Sequence, residues 1–200
     1  MKNILIPAFD AKSARKELPM SKRVLILSSS LREHSNSDMM ADAFAEGARA
    51  AGHDVEKIRL SGKEIRFCQG CLACQNTKRC VIHDDADDIV QNHMLGADVL
   101  VFATPIYYYE MSGQMKTLLD RANSLFGSDY AFRDIYMLSA AAEDEEGVDG
   151  RAVSGLEGWI ACFERARLAG TVFAGGVNDP GEIAGHPALR KACEMGKAIQ

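Results

Sequence analysis

The sequence has no excess of positive charge, no long apolar run and no secretory leader pattern, and each shortfall removes a class of function. Twenty-three Lys and Arg against 28 Asp and Glu leave a net charge of −5, whereas a nucleic-acid binder would usually carry a basic stripe. No apolar stretch approaches the roughly 18 residues that a membrane-spanning helix needs. The N-terminus lacks the charged, apolar, small-residue order of an export signal, so the expected location is the cytoplasm, with no membrane partner. Internal repeats and low-complexity tracts are absent. Two phosphate-binding fingerprints are also missing: there is no G-x-G-x-x-G turn and no Gly-Lys-Ser/Thr loop. His34, His53, His93 and His186 form no ligand spacing, and His83 reads as a solvent-facing residue near a helix start.

What the chain does have is an ordinary globular composition, 47% apolar and 26% charged over 200 residues, enough for one domain with a proper core. Residues 1–20 fit poorly: a short apolar run is followed by charged residues and Pro19. They read as an N-terminal extension, with the domain spanning 21–200. From there, apolar runs alternate with helical stripes. Strands are expected at 23–28, 55–60, 98–103, 135–138 and 171–174, the first and third as continuous buried runs. Helices are expected from Asn36 to Gly52, from Asp84 or Asp85 to Ala97, from Ser112 to Ala122, from about Gly150 to near Gly170, and from Pro187 onward. Five strands alternating with five helices predict an α/β protein with a three-layer, doubly wound parallel sheet. Ligands of such sheets bind at the carboxyl ends of the strands, which selects the loops after the first, third and fourth strands.

The first of these loops, Ser28 to Ser37, runs from a buried strand into a helix N-terminus. Free backbone N–H groups and the helix dipole favour an anion there. Ser30, Ser35, Ser37 and the Asn36 amide add donors without bulk, and Arg32 is placed to pair with a phosphate. The third-strand loop carries Pro105, Ile106 and three successive tyrosines, Tyr107, Tyr108 and Tyr109, flat surfaces for a planar ring.

Cys68, Cys71, Cys74 and Cys80 stand at C-x2-C-x2-C-x5-C, between the second strand and the next helix. Clustered thiols in a cytoplasmic chain read as metal or redox chemistry before disulfides. An iron–sulfur cluster, a zinc ion and a metal-free loop of thiols all remain open for these four. Cys162 and Cys193 lie apart within helical patterns and read as small buried hydrophobes. Phe126, Tyr130 and Phe132 read as a covering loop, with a subunit contact as the alternative.

Ser30-Leu31-Arg32…Asn36-Ser37, Pro105-Ile106-Tyr107-Tyr108…Met111-Ser112-Gly113-Gln114-Met115-Lys116 and Leu119-Asp120-Arg121 together resemble the NADPH-dependent FMN reductase family of the flavodoxin-like fold. Ser29, Leu31 and Ser37 depart from that family's usual first loop but keep the hydroxyl donors. The resemblance covers residues 22–200. It implies strand order 2-1-3-4-5 and a bound FMN. The phosphate would sit on Ser30, Arg32, Ser35, Asn36 and Ser37, and the ring against Pro105, Ile106, Tyr107, Tyr108 and Tyr109. Ser139, Ala140, Ala141 and Glu143 would line its far edge. Backbone N–H groups of the 106–109 and 139–142 turns would face the reduced ring. The cysteine segment is similar to that of iron-sulfur flavoproteins, which implies a 4Fe–4S cluster on the four thiols.

The activity expected is transfer of electrons from NAD(P)H through FMN to a small acceptor: a quinone, a nitro or azo aromatic, or a flavin. No catalytic side chain is assigned. An electron carrier or redox sensor acting between proteins is the alternative, and a zinc-stabilised binding module a weaker one. A homodimer or homotetramer and a ferredoxin-like redox partner are implied by the resemblance alone.

Overall fold

The computed structural model describes residues 21–200; the expected N-terminal extension lies outside the described residues. The sheet is built on β1 (Arg23–Ser28). On either side of it lie β2 (Asp54–Arg59) and β3 (Val99–Tyr107), followed outward by β5 (Asp134–Ala140) and β6 (Arg167–Ala174). All four of these ladders are parallel, in the order β2-β1-β3-β5-β6. This is the expected flavodoxin-like order, with one small strand, β4 (Glu110–Met111), added as an antiparallel hairpin on the end of β3.

The apolar runs are continuous because both faces of the sheet are covered. Along β1, Val24 and Ile26 point into one core with Met40, Phe44 and Val101, while Leu25 and Leu27 point into the other with Phe102, Met115 and Leu118. Successive strand side chains alternate between faces, so a strand buried on both sides has no polar position to spare. The first core lies under α1 (Asn36–Ala50) and α6 (Pro187–Lys197). These two helices touch backbone to backbone. A Cβ at Gly47 would lie within 2 Å of the Cys193 carbonyl oxygen, at 1.9 Å, and one at Gly196 would lie 2.2 Å from the Phe44 carbonyl oxygen. His53 ties the C-terminus down: its Nδ1 accepts from the Lys22 N–H, which leaves Nε2 to donate to the Ile199 carbonyl at 3.2 Å.

The second core is capped by α3 (Asp85–Asp88), which continues as a π-helical turn over Ile89–Met94, by α4 (Gly113–Arg121) and by α5 (Gly150–Ile160). α5 ends about ten residues earlier than its apolar stripe suggests, because Phe163 is buried from a turn and β6 already begins at Arg167. That shift corrects one cysteine reading. Cys162 lies past the helix end and is exposed, and Cys193 is only half-buried, so neither is a core hydrophobe. Tyr130 and Phe132 are buried, with rings stacked 4.4 Å apart. They belong to the core, and of the three aromatics only Phe126 stands exposed.

Candidate functional site: a cleft at the carboxyl ends of the strands

The exits of β1 and β3 are fastened to each other. Ser29 N–H donates to the Ala103 carbonyl at 2.9 Å. The Ser112 hydroxyl donates to the Ser29 hydroxyl at 2.8 Å, and the Ser112 N–H to Thr104 Oγ1 at 3.0 Å. Between these exits and the turn after β5 opens a cleft of about 130 Å³. Ser30, Arg32, Ser35, Asn36, Ser37, Pro105, Ile106, Tyr107, Ala140 and Ala141 all line it.

The N-terminus of α1 forms one end of the cleft. Ser35 caps the helix, its hydroxyl accepting from the Asp38 N–H at 3.2 Å. Ser37 is almost fully buried, and its hydroxyl has no hydrogen-bond partner. An unpaired buried hydroxyl costs stability, and its position on the wall of an anion-favouring cleft suits a phosphate oxygen. Two side chains assigned to the anion have other work here. Arg32 Nη1 donates to the Asn178 carbonyl at 2.7 Å. The Asn36 amide donates to the Asp179 carbonyl at 3.0 Å and accepts from the Ile183 N–H at 3.2 Å.

Those bonds bring in a loop that sequence reasoning missed. Val177, Asn178 and Pro180, after β6, complete the wall together with Ala142. The turn residues Asn178-Asp179-Pro180-Gly181 were a visible signal, but the fifth strand is not at the topological switch point, and nothing local shows that its loop folds back. Glu182 fixes the loop by accepting from the N–H groups of Asn178 and Asp179 at 2.7 and 3.0 Å. These two bonds hold the Glu182 carboxyl below the usual carboxylate range.

Four assigned residues stand off the cleft. Tyr108 and Tyr109 form the two-residue tip of the β3–β4 hairpin, with φ of 50° and 67°, and are 97% and 50% exposed. Both positive φ values mark a turn normally given to Asn-Gly, so the tip carries strain. Ser139 is buried and its hydroxyl donates to Asp149 at 2.7 Å. Glu143 is exposed, and its carbonyl accepts from the Gly176 N–H. In the 139–142 turn, the Ala141 N–H is engaged by the Ala174 carbonyl, which leaves Ala142 to face a ligand.

The four clustered cysteines form a second locus. α2 (Ala73–Thr77) sits inside their loop, flanked by Leu72 and Lys78 in left-handed conformations. All four thiols line one small cavity with Arg121 and Asn123. N–H groups already point at three sulfurs. Asn123 Nδ2 donates to Cys74 Sγ at 3.2 Å, Gly70 N–H to Cys68 and Ile82 N–H to Cys80, both at 3.5 Å. Yet no three His, Cys, Asp or Glu side chains among the described residues are gathered tightly enough to hold a metal ion. The donor set and its N–H bonds suit anionic sulfur shared round a cavity. Four thiolates at about 2.3 Å from a single tetrahedral ion would be more closely gathered.

Against known proteins, the family model described as NADPH-dependent FMN reductase matches residues 22–161. An iron-sulfur flavoprotein of Archaeoglobus fulgidus is 31% identical over 173 residues, covering 84% of this chain and 74% of that protein. One from Methanosarcina thermophila is 26% identical, covering 81% and 82%. Among solved structures, an NAD(P)H:quinone oxidoreductase from Methanothermobacter marburgensis superposes with a TM-score of 0.67 at 19% identity, over 88% of this chain and 96% of that one. The azoreductase AzrA superposes at 0.65 and 20% identity, over 88% and 100%. At these identities, the two structures speak for the fold.

Proposed function

The chain belongs to the NADPH-dependent FMN reductase family and is an NAD(P)H-dependent flavin oxidoreductase, and from that premise we propose that it delivers electrons to a small flat acceptor, a quinone or a nitro or azo aromatic. The observation that carries the reading is the cleft, with the unpartnered Ser37 hydroxyl at the helix end and an apolar wall at the other.

Ser30, Ser35 and Ser37 with the first N–H groups of α1 would hold the FMN phosphate. Pro105, Ile106 and Tyr107 would flank the ring, and Ala142 would offer it an N–H. FMN bound there would supply acceptance of a hydride from a nicotinamide and onward electron transfer. The chain's own part is to orient the ring and exclude water. No side-chain acid or base is assigned to it. Beside the cleft, and sharing Tyr107 with it, a wider depression is walled by Leu31, Ile65 and Phe67. Its apolar side favours a flat aromatic acceptor, with Lys63, Gln114 and Thr117 lining the polar remainder. A second copy of the chain covering this face, as dimer or tetramer, is part of the proposal.

Cys68, Cys71, Cys74 and Cys80 would hold a 4Fe–4S cluster, which supplies single-electron steps. The support is four thiols around one cavity with N–H groups aimed at them, and kinship to iron-sulfur flavoproteins. One observation favours the carrier reading instead: the exposed run Glu143-Asp144-Glu145-Glu146 directly follows the cleft residue Ala142, and an acidic rim suits a protein partner.

The test is anaerobic purification with flavin, iron and sulfide analysis, repeated for Cys74→Ala. Flavin in both and iron only in the unsubstituted protein is expected. Flavin without iron in either removes the cluster and keeps the reductase. Acceptor assays then separate enzyme from carrier, because a carrier would turn over no small acceptor.

A further inference from the structure

The best-buried cation of the described residues is Arg121, whose side chain is fully buried at the end of α4. Four of its hydrogen bonds are accounted for. Nη1 donates to the Arg66 carbonyl and to Asp84 Oδ2, both at 2.7 Å. Nη2 donates to the Ile82 carbonyl at 2.8 Å and to Asp84 Oδ1 at 2.9 Å. The carbonyls belong to residues just outside the cysteine loop, Arg66 before Cys68 and Ile82 after Cys80, so one guanidinium gathers both ends of the loop. Asp84 is itself fixed as the N-cap of α3, its Oδ1 accepting from Ala86 and Asp87.

The fifth donor, Nε–H, is buried and has no partner. A guanidinium presents its donors in a rigid fork. With both terminal nitrogens anchored, Nε cannot turn to find an acceptor elsewhere. Arg121 also lines the small cavity that the four thiols share. Burial by itself would lower the guanidinium's proton affinity. The Asp84 hydrogen bonds, then the Cys80 and Asp84 charges, outweigh it, and the proton is held more tightly than usual. The groups that hold the guanidinium's proton thus include Cys80 as well as Asp84.

We propose that Arg121 is the positioning residue of the cysteine site: it staples the loop's two ends and presents Nε–H and a fixed positive charge to the Cys80 sulfur, so that the cavity favours negative charge on sulfur. The inference rests on the reading that the four thiols hold a cluster. It adds which residue sets that site's electrostatics. Hydrogen bonds to ligand sulfurs and the local net charge set a cluster's potential. A buried cation stabilises the reduced, more negative state.

Two variants test this. Arg121→Lys keeps the charge. Asp84→Asn/Arg121→Gln removes both charges of the pair, which avoids leaving a lone buried carboxylate. In the full-length protein kept free of iron, the rate of Cys80 alkylation by anionic iodoacetate is divided by that with neutral iodoacetamide. The ratio cancels exposure and thiolate fraction, and reports the charge beside the sulfur. The double variant is expected to lower it by roughly three- to tenfold, and Arg121→Lys to keep most of it. In the reconstituted protein, the double variant's midpoint potential should fall by the equivalent of up to a tenfold change in a one-electron equilibrium, about 59 mV. An unchanged alkylation ratio in the double variant overturns the role assigned to Arg121, whatever the iron content. A changed ratio in a protein that takes up no iron overturns the cluster and leaves Arg121 as a cation serving bare thiolates.

Discussion

Substituting Gly196 by alanine should be among the most damaging single-methyl changes in the molecule. The added Cβ would lie 2.2 Å from the Phe44 carbonyl oxygen and 2.9 Å from the Ala48 nitrogen. Both are backbone atoms of α1, joined by a helical hydrogen bond, so no side chain can rotate aside. The helices must separate by about 1 Å to restore normal contact, and the apolar layer around Phe44 and Ala192 must loosen with them. Overpacking of this kind typically costs about 1–3 kcal/mol. The rigid partner places this case near the upper end, against a helix-propensity gain of about 1 kcal/mol from replacing glycine. The net expectation is about 2 kcal/mol lost. In urea titration, with a slope of about 1–3 kcal/mol/M, the midpoint should fall by about 1 M. Gly158→Ala in α5 is the internal control, because nothing lies within 4 Å of its Cβ position. It should gain about 0.5–1 kcal/mol. The contact argument fails if the two variants shift the midpoint in the same direction. FMN retention should follow stability, because the proposed phosphate site lies at the N-terminus of α1.

Ser37→Ala should weaken FMN binding about tenfold by equilibrium dialysis, since a hydrogen bond to a charged group is worth about 1.5–3 kcal/mol. The flavin-free protein should be no less stable than before, because the lost hydroxyl is unpartnered there. Asn36→Ala frees the loop after β6 and should cost about 1–3 kcal/mol in denaturant unfolding, with faster hydrogen exchange at Ile183. Replacing Tyr108-Tyr109 by Asn-Gly relieves two left-handed residues. It should raise stability by about 1–2 kcal/mol by calorimetry while FMN affinity stays within twofold. Acid should loosen the 64–87 segment first. Asp85 is held below its usual 3.8 mainly by the Glu64 N–H and Lys63. Burial tends to raise Asp87, but bonds from Arg79 and His83 outweigh it, so it too titrates below 3.8. Depressed carboxyls contribute stability above their unfolded pKa and lose it as pH falls through the folded one. Pepsin cleavage in this segment should therefore begin only below about pH 4.

The sheet was legible in the sequence because its signals are local and redundant. A six-residue run such as Arg23–Ser28, closed by serines, has few other uses, and alternation with helices sets the handed crossovers. Cleft residues on the β1 and β3 exits were legible for the same reason, since the fold itself brings them to one end. What escaped depends on long-range contacts. The β3–β4 hairpin places positive φ on two tyrosines against their preference, so no turn signal announced it, and their rings leave the cleft. The loop after β6 is held at the site by the side chains of Arg32 and Asn36, about 145 positions earlier in the chain, and by backbone bonds from Gly176 and Val177 to the 141–143 turn. The bonding of Arg121 was invisible at the end of an ordinary helical stripe, because its partners, Arg66, Ile82 and Asp84, belong to other segments.

The central claim is that this cleft holds FMN and hands it electrons from a nicotinamide. The most direct measurement is anaerobic rapid mixing of the FMN-loaded protein with NADPH and, separately, with NADH, followed by addition of a quinone. The account predicts that at least one nucleotide bleaches the flavin absorbance, stoichiometrically with bound FMN, and that the quinone restores it. A protein that binds no FMN, or whose bound flavin neither nucleotide reduces, would contradict it.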